Sequence, residues 1–225
     1  MRHLIDLAKP GQYADTLVIL LPGAYQQPED FIKEGFVQAV RQRQLGIDLI
    51  MAELSFSHIA DQSALSEIYS YLIQPAIAAG YQNIWLAGIS VGGYVAIAYA
   101  GRYPRQLAGL LLLAPYLGNR MTTGEIAVAG GIQAWTPDAI SDEDIERLNW
   151  HWLKTHAIAA ETELRPIEVH LSYGEDDRFT ESHLMMAQIL PATRVDKIPG
   201  DHVWPVWRQL WHNFLDKRFG KNSHD

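Results

Sequence analysis

The residues with the clearest chemical potential lie in the stretch NIWLAGISVGG at 83–93, where Ser90 stands between two glycines in a G-x-S-x-G pattern. An apolar run precedes this pattern, and a helix-like segment rich in Ala and Val follows it. A strand that turns sharply into a helix here holds its central residue in strained backbone geometry and lifts the side chain above the sheet edge. Gly88 and Gly92 leave room for the strand and the helix to pass close together. The pattern therefore predicts that Ser90 is a nucleophile.

A serine hydroxyl is a poor nucleophile at neutral pH, so it needs a base to take its proton and a third group to orient that base. Two late segments carry such groups. Residues 169–179, VHLSYGEDDRF, are typical of a strand that runs into an acidic turn, and residues 198–204, IPGDHVW, place His202 after a strand end and a glycine. The carboxyl ends of parallel strands meet at one edge of a sheet. We therefore expect Ser90, His202 and one of the three acids at 175–177 to converge.

The elements that must position these residues follow from apolar runs that alternate with helix-period segments, as in parallel strands joined by crossover helices. Strands are predicted at 16–21, 47–52, 84–89, 107–114, 167–172 and 193–198, and helices at 28–43, from 61 or 63 to 79, at 91–102 and at 203–219. The segment at about 117–164 breaks this rhythm, and we interpret it as a small helical cap insertion over the strand ends. Such a segment of about 50 residues could hardly fold alone, so we predict one domain spanning 1–225.

The chain order of serine, acid and histidine, each placed after a strand, resembles the α/β-hydrolase superfamily. The resemblance covers nearly the whole chain apart from the cap. It implies an α/β-hydrolase fold, with a mostly parallel central sheet flanked by helices, and it makes Ser90 the nucleophile and His202 the general base. The acid of this family commonly falls three residues after a glycine that ends the preceding strand. Counting from Gly174 gives Asp177 in preference to Asp176.

Acyl transfer also needs hydrogen-bond donors for the oxyanion that develops in the tetrahedral intermediate. By the same resemblance, one donor is the backbone N–H of Val91, directly after the nucleophile. The second comes from the turn after an early strand, where LPGAY at 21–25 resembles the family's His-Gly-x turn with Pro22 in place of the histidine. The N–H of Ala24 is the predicted second donor, with that of Tyr25 next.

Aromatic residues supply candidates for a substrate pocket. The chain has 7 tryptophans, and this residue brings both a large apolar surface and a polar N–H to a core or a binding site. Trp204 is close to His202 in sequence, and Trp135 lies in the cap insertion. We name both, together with Tyr25, as pocket candidates, while core filling remains equally open for the two tryptophans. Asp201, beside His202, is expected to cap the last helix.

Composition restricts the class of protein. A chain of 225 residues with 48% hydrophobic and 20% charged residues is typical of a globular domain. The formal net charge of -8 disfavours non-specific binding to nucleic acid or anionic membranes. The absence of cysteine excludes disulfides, a thiol nucleophile and thiolate metal ligands. No signal-like or membrane-spanning run is evident. We therefore expect a cytoplasmic protein with a small-molecule substrate, no nucleic-acid partner and no membrane span, and homo-oligomerisation stays open.

These features together predict a serine hydrolase that cleaves a carboxylic ester or thioester of a small or medium acyl group through an acyl-enzyme, without a metal or an organic cofactor. The same residues could serve an acyltransferase, a C–C hydrolase or a haloperoxidase-like enzyme, because the fold does not dictate the reaction. A non-catalytic hydrolase-like binding protein is a further alternative. A serine at position 90 argues against dehalogenase relatives that use Asp and lactone hydrolases that use Cys.

Overall fold

A seven-stranded sheet forms the centre of the computed structural model, which describes residues 1–55, 57, 59, 63–159 and 166–220. The strands are β1 (His3–Asp6), β2 (Thr16–Leu21), β3 (Ile47–Ala52), β4 (Asn83–Ile89), β5 (Gly109–Leu113), β6 (Glu168–Gly174) and β7 (Val195–Ile198). Their order is β1-β3-β2-β4-β5-β6-β7, and each pairing is parallel except that of β1 with β3. The predicted α/β architecture with a mostly parallel sheet is confirmed.

Helices cover both faces of this sheet. They are α1 (Pro28–Lys33), α2 (Phe36–Gln42), α3 (Ser63–Ile68), α4 (Gln74–Ala79), α5 (Val91–Arg102), α6 (Arg120–Val128), α7 (Ile145–Ala159), α8 (Thr180–Ala187) and α9 (Trp204–Phe219). Helices α1, α2 and α9 pack on one face, and the other helices contribute to the core on the opposite face. Because β2 to β5 are buried on both faces, their sequences are nearly continuous apolar runs, as expected for parallel strands.

Three local features differ from the sequence prediction. Strand β1 was not expected, because its four partly exposed residues give only a short apolar signal. The helix predicted at 28–43 is two helices, since Gly35 between them takes a left-handed φ of 83°. The helix predicted to end at 79 contains a π turn at Tyr69–Ile73, directly before the segment that carries Pro75, which has no N–H for a regular helical hydrogen bond.

The start of the last helix also corrects a prediction. Helix α9 begins at Trp204 with Val203 as its N-cap, and no side chain caps it. The Asp201 carboxylate, expected to serve as the cap, instead accepts a hydrogen bond of 2.6 Å from the backbone N–H of His202. Asp201 therefore fixes the backbone of its neighbour and leaves the helix start open.

The segment predicted as a cap insertion at about 117–164 contains α6 and α7, and its residues 160–165 lie outside the described part of the chain. Helix α7 is joined to α5 by a hydrogen bond of 3.1 Å from Asn149 Nδ2 to the Tyr94 carbonyl. The buried Trp150 indole donates to the Leu117 carbonyl at 2.6 Å. The role of this segment as a cap, and the single-domain division, stay predictions. None of the described helices has both the length and the apolar character needed to cross a bilayer.

Candidate active site

Ser90 occupies the sharp turn between β4 and α5. Its φ of 53° and ψ of -116° put a non-glycine residue in a sparsely populated backbone region, which costs roughly 1–3 kcal/mol. The surrounding backbone fixes this conformation, because the Ser90 N–H donates to the Leu113 carbonyl at 3.0 Å and the Ser90 carbonyl accepts from Tyr116 N–H at 2.9 Å. The predicted strand–serine–helix corner is therefore where the sequence pattern places it.

Two glycines allow the close approach on which this corner depends. A Cβ on Gly88 would overlap the backbone of Gly92, and a Cβ on Gly92 would overlap the Leu21 carbonyl and come within 2.7 Å of the Pro22 oxygen. Strands β2 and β4 are neighbours in the sheet, with Leu21 paired to Gly88. The turn after β2 and the first turn of α5 therefore lie against each other.

This contact brings the two predicted oxyanion donors to the same part of the molecule. Val91 is the first residue of α5, where a backbone N–H has no acceptor within the helix. Within the described chain, neither the Val91 N–H nor the Ala24 N–H donates a hydrogen bond. The Gly23 N–H, in contrast, is taken by the Gln26 side chain at 2.7 Å. The N–H groups of Val91 and Ala24, the two predicted donors, therefore have no acceptor among the described residues.

Asp177 and His202 are joined by a hydrogen bond of 2.7 Å between Asp177 Oδ2 and His202 Nδ1. The Asp177 side chain is fully buried, and the His202 side chain is 8% exposed. The second carboxylate oxygen of Asp177 accepts the Phe179 N–H at 2.9 Å. Since a carboxylate only accepts, His202 carries its proton on Nδ1, and in the neutral ring Nε2 is the free acceptor.

The other two acids of the same turn have different partners. Asp176 is exposed, and its Oδ2 accepts the Gly200 N–H at 3.1 Å. Glu175 pairs with Lys197 at 2.9 Å, with both side chains about half-exposed. The structure therefore brings Asp177 to His202 and directs Asp176 to the backbone of the neighbouring turn.

The contacts that link Ser90 to His202 are indirect and pass through Tyr116 and Phe179. Among the hydrogen bonds of the described residues, none joins Ser90 Oγ to His202. The path between them runs from the Ser90 carbonyl to Tyr116 N–H, from the Tyr116 ring to the Phe179 ring at 5.6 Å, and from there to the imidazole at 5.2 Å. The imidazole also contacts the Trp207 ring at 4.9 Å. Sequence reasoning missed these aromatic neighbours, although Phe179 follows the acid by only two positions.

The electrostatics of this region favour an ionised acid. Burial of Asp177 raises its pKa, but the hydrogen bonds from His202 and from the Phe179 N–H reverse this effect, so that the pKa of Asp177 lies below its usual value. A second histidine, His183, is completely buried and its Nε2 lies 2.9 Å from the Pro115 carbonyl. Burial lowers the pKa of His183 to about 4, against the opposing effect of that hydrogen bond. His183 therefore stays neutral at pH 7 and donates through Nε2.

The three pocket candidates lie in different surroundings. Tyr25 is 89% exposed on the turn after β2 and has a φ of 62°. Trp204 is partly exposed, with its ring against Phe31, Phe36 and Trp207. Trp135 is only 2% exposed, and its indole donates to Glu125 at 2.8 Å. It therefore offers almost no surface to a substrate in this conformation.

No group of three His, Asp or Glu side chains within the described ranges is arranged to hold a metal ion. The predicted site residues supply a hydroxyl, an imidazole, a carboxylate and two backbone N–H groups. Those groups are sufficient for nucleophilic acyl transfer.

A protein-family model matches more than half of this chain. The family model described as serine aminopeptidase, S33 (Hydrolase_4) matches residues 60–182, which is more than half of the chain. The matched range contains Ser90 and Asp177 and ends before His202. No curated protein sequence matches this chain at a significant level.

Solved structures resemble this one over nearly the whole chain. Fluorophosphonate-binding serine hydrolase F (FphF) of Staphylococcus aureus, substrate bound, has a TM-score of 0.68 at 16% identity, covering 95% of this chain and 90% of that chain. Est1E from Butyrivibrio proteoclasticus has a TM-score of 0.65 at 15% identity, with 97% and 94% covered. The S-formylglutathione hydrolase FrmB of Staphylococcus aureus has a TM-score of 0.63 at 14% identity, with 95% and 88% covered. At these identities the likeness concerns the fold.

Proposed function

The chain belongs to the serine aminopeptidase S33 family of α/β hydrolases, and from this premise we propose that it is a serine hydrolase acting on a carboxylic ester or thioester with a small or medium acyl group. The observation that carries the proposal is the buried hydrogen bond between Asp177 and His202, at the same sheet edge as Ser90. The similar structures are, by their names, a fluorophosphonate-binding serine hydrolase, an S-formylglutathione hydrolase and Est1E, and the first two names support a hydrolase.

In the proposed reaction, Ser90 Oγ attacks the acyl carbonyl carbon while His202 Nε2 takes the hydroxyl proton. The tetrahedral intermediate collapses, the bond to the alcohol or thiol breaks, and His202 returns the proton to that leaving group. Water then attacks the acyl-enzyme with His202 again as base, which releases the acid and restores Ser90. The reaction as written consumes only the substrate and water.

Asp177 has two roles in this scheme. Its hydrogen bond holds the proton of the neutral imidazole on Nδ1, so that Nε2 faces the reaction as a base. Its negative charge also stabilises the imidazolium that forms when the Ser90 proton is taken. The lowered pKa of Asp177 keeps the carboxylate ionised throughout.

The Val91 and Ala24 N–H groups would stabilise the oxyanion of the intermediate. Both have no hydrogen bond within the described chain, and the contact of Gly92 with the turn after β2 keeps their two segments together. The Ser90–His202 hydrogen bond is expected to form in the substrate complex, since catalytic hydrogen bonds are often long before substrate is bound.

The proposal is tested with Ser90→Ala and p-nitrophenyl acetate or butyrate as substrates. We expect turnover to fall by about 10⁴-fold or more, with an unchanged circular dichroism spectrum. Ser66→Ala, which changes an exposed serine of α3, is the matched control and should hydrolyse at the wild-type rate. Wild-type turnover in the Ser90 variant would contradict the assignment. An aminoacyl p-nitroanilide measured in parallel distinguishes ester from amide specificity, and added alcohols distinguish acyl transfer from hydrolysis.

A further inference from the structure

Phe179 is anchored by its backbone between the acid and the start of α8. Its N–H donates to Asp177 Oδ1 at 2.9 Å. Its carbonyl accepts hydrogen bonds from Ser182 Oγ at 2.8 Å, from Ser182 N–H at 3.0 Å and from His183 N–H at 3.1 Å. The position of the Phe179 backbone is therefore fixed relative to Asp177 on one side and to helix α8 on the other.

The partly buried Phe179 ring reaches two further parts of the site. It lies edge-on to the His202 imidazole, with centroids 5.2 Å apart and planes at 88°. It also contacts the Tyr116 ring at 5.6 Å and 69°. Tyr116 is itself held, because its N–H donates to the Ser90 carbonyl at 2.9 Å and its hydroxyl donates to Glu146 Oε1 at 2.9 Å.

The hydrogen bond to Asp177 fixes only one atom of the His202 ring, so the imidazole could still swing about that bond. Two rings restrict this movement, Phe179 at 5.2 Å and Trp207 at 4.9 Å, both nearly perpendicular to the imidazole. Edge-to-face aromatic contacts of this kind are favourable and have a defined geometry. The direction in which Nε2 points is therefore set by neighbouring rings as well as by the acid.

We propose that Phe179 is the positioning residue that joins the acid, the base and the serine turn into one site. Asp177 binds its N–H, His202 packs against its ring, and the segment bonded to Ser90 packs on the same ring through Tyr116. Phe179 need not touch the substrate for this role. The inference rests on the proposed function, because it assigns Phe179 a role in orienting His202 toward Ser90.

The test compares Phe179→Ala, Phe179→Leu and Phe179→Tyr by their kcat and KM for p-nitrophenyl butyrate. The Ala variant keeps the backbone bond to Asp177 but removes the ring, so kcat should fall by about 100-fold, the cost of a small misplacement of a catalytic group. KM should change little, because the Phe179 ring orients the His202 imidazole and need not touch the substrate. The Tyr variant keeps an aromatic face and should recover most of kcat, and the Leu variant should lie between them.

Phe214 offers a matched control. Its ring contacts another histidine, His170, at the same centroid distance of 5.2 Å and at 76°, and it lies on the buried side of α9, 3% exposed. Phe214→Leu should lower the unfolding temperature and leave kcat unchanged. A second readout is the low-field proton signal of the His202 Nδ1–H bond, which should broaden in Phe179→Ala and stay sharp in Phe214→Leu. All rates are normalised to folded protein below the unfolding temperature.

Three results would overturn the inference: wild-type kcat in Phe179→Ala, a loss confined to KM, or an equal loss of kcat in Phe214→Leu. If Phe179→Ala and the wild type hydrolyse the ester equally well, the inference is wrong and the proposed function stands. If the wild type itself has no esterase activity and Ser90→Ala makes no difference, the proposed function fails, and the positioning role fails with it.

Discussion

The two halves of the candidate site are built by different means. The serine half, formed by the turns after β2 and β4, is shaped by the backbone: Ser90 has a positive φ, and Gly92 lies against the Leu21 carbonyl. The acid–base half, formed by the turns after β6 and β7, is shaped by side chains, through the bond of Asp177 to His202 and the rings around the imidazole.

This difference predicts how each half responds to substitution. In the serine half, the backbone sets the geometry, and a substitution can change it only by moving strands and helices. Such a substitution should therefore first lower the stability of the protein. In the acid–base half, side chains set the geometry, which can be lost while the fold remains. A substitution there should therefore first lower the activity. Substitutions in each half of the site distinguish these two cases.

In the acid–base half, Asp177→Asn should lower kcat by about 10³- to 10⁴-fold, because an amide does not hold the required imidazole tautomer or stabilise its charge. Asp176→Asn is the control, since an amide oxygen can still accept the Gly200 N–H, and its kcat should stay close to the wild-type value. Steady-state kinetics with circular dichroism of both variants checks this prediction. Equal losses in the two variants would remove the distinction between these acids.

In the serine half, Gly92→Ala should destabilise the protein by about 3 kcal/mol, because the added methyl group overlaps the Leu21 carbonyl and neither backbone segment can easily move. Gly124→Ala in α6 is the control, since a Cβ there meets nothing within 4 Å. It should be neutral or stabilise by about 0.5–1 kcal/mol. Urea unfolding measures both. A Gly92 variant as stable as the wild type would show that this turn is less rigidly built than we infer.

The buried His183 under the acid–base half predicts a dependence of stability on pH. Its pKa is about 4 in the folded state, against 6.5 for an unperturbed histidine. Between these values the unfolded chain binds more protons, so stability should fall as the pH falls from about 6.5 to 4, by at most about 1.4 kcal/mol per pH unit. Asp177 favours and His202 opposes protonation of this ring.

His183→Gln should flatten that dependence, because glutamine can donate to the Pro115 carbonyl but does not titrate. The exposed His151→Gln is the control and should keep the wild-type slope. Unfolding midpoints in urea at several pH values between 4 and 7 provide the measurement. An unchanged slope in the His183 variant would show that this ring does not set the acid sensitivity.

The same difference explains how far the sequence could predict the structure. The bounds of β2 and β3 and the place of Ser90 follow from apolar runs and from the G-x-S-x-G pattern, which are local signals. The preference for Asp177 over Asp176 depended on a resemblance, and it agrees with the hydrogen bond to His202. The backbone-built corner at Ser90 can be predicted from the sequence because two glycines and a strand end mark it.

Features built from contacts between distant side chains leave no such mark. The proposed role of Phe179 depends on its contacts with Tyr116 and His202, which are far from it in sequence. No sequence pattern predicts these contacts. Trp135 could not be assigned to a pocket or to the core until its hydrogen bond to Glu125 was known. Asp201 was expected to cap the last helix. Its carboxylate instead accepts the N–H of His202, because α9 begins only at Trp204, with Val203 as its N-cap.

The most direct measurement treats the protein with a fluorophosphonate probe and locates the adduct by mass spectrometry of its peptides. Only a serine hydroxyl activated by a neighbouring base reacts readily with such a probe. We predict a single adduct on Ser90 in the wild type, with strongly slowed labelling in Asp177→Asn. An unmodified Ser90, or an adduct on a different serine, would contradict the central claim.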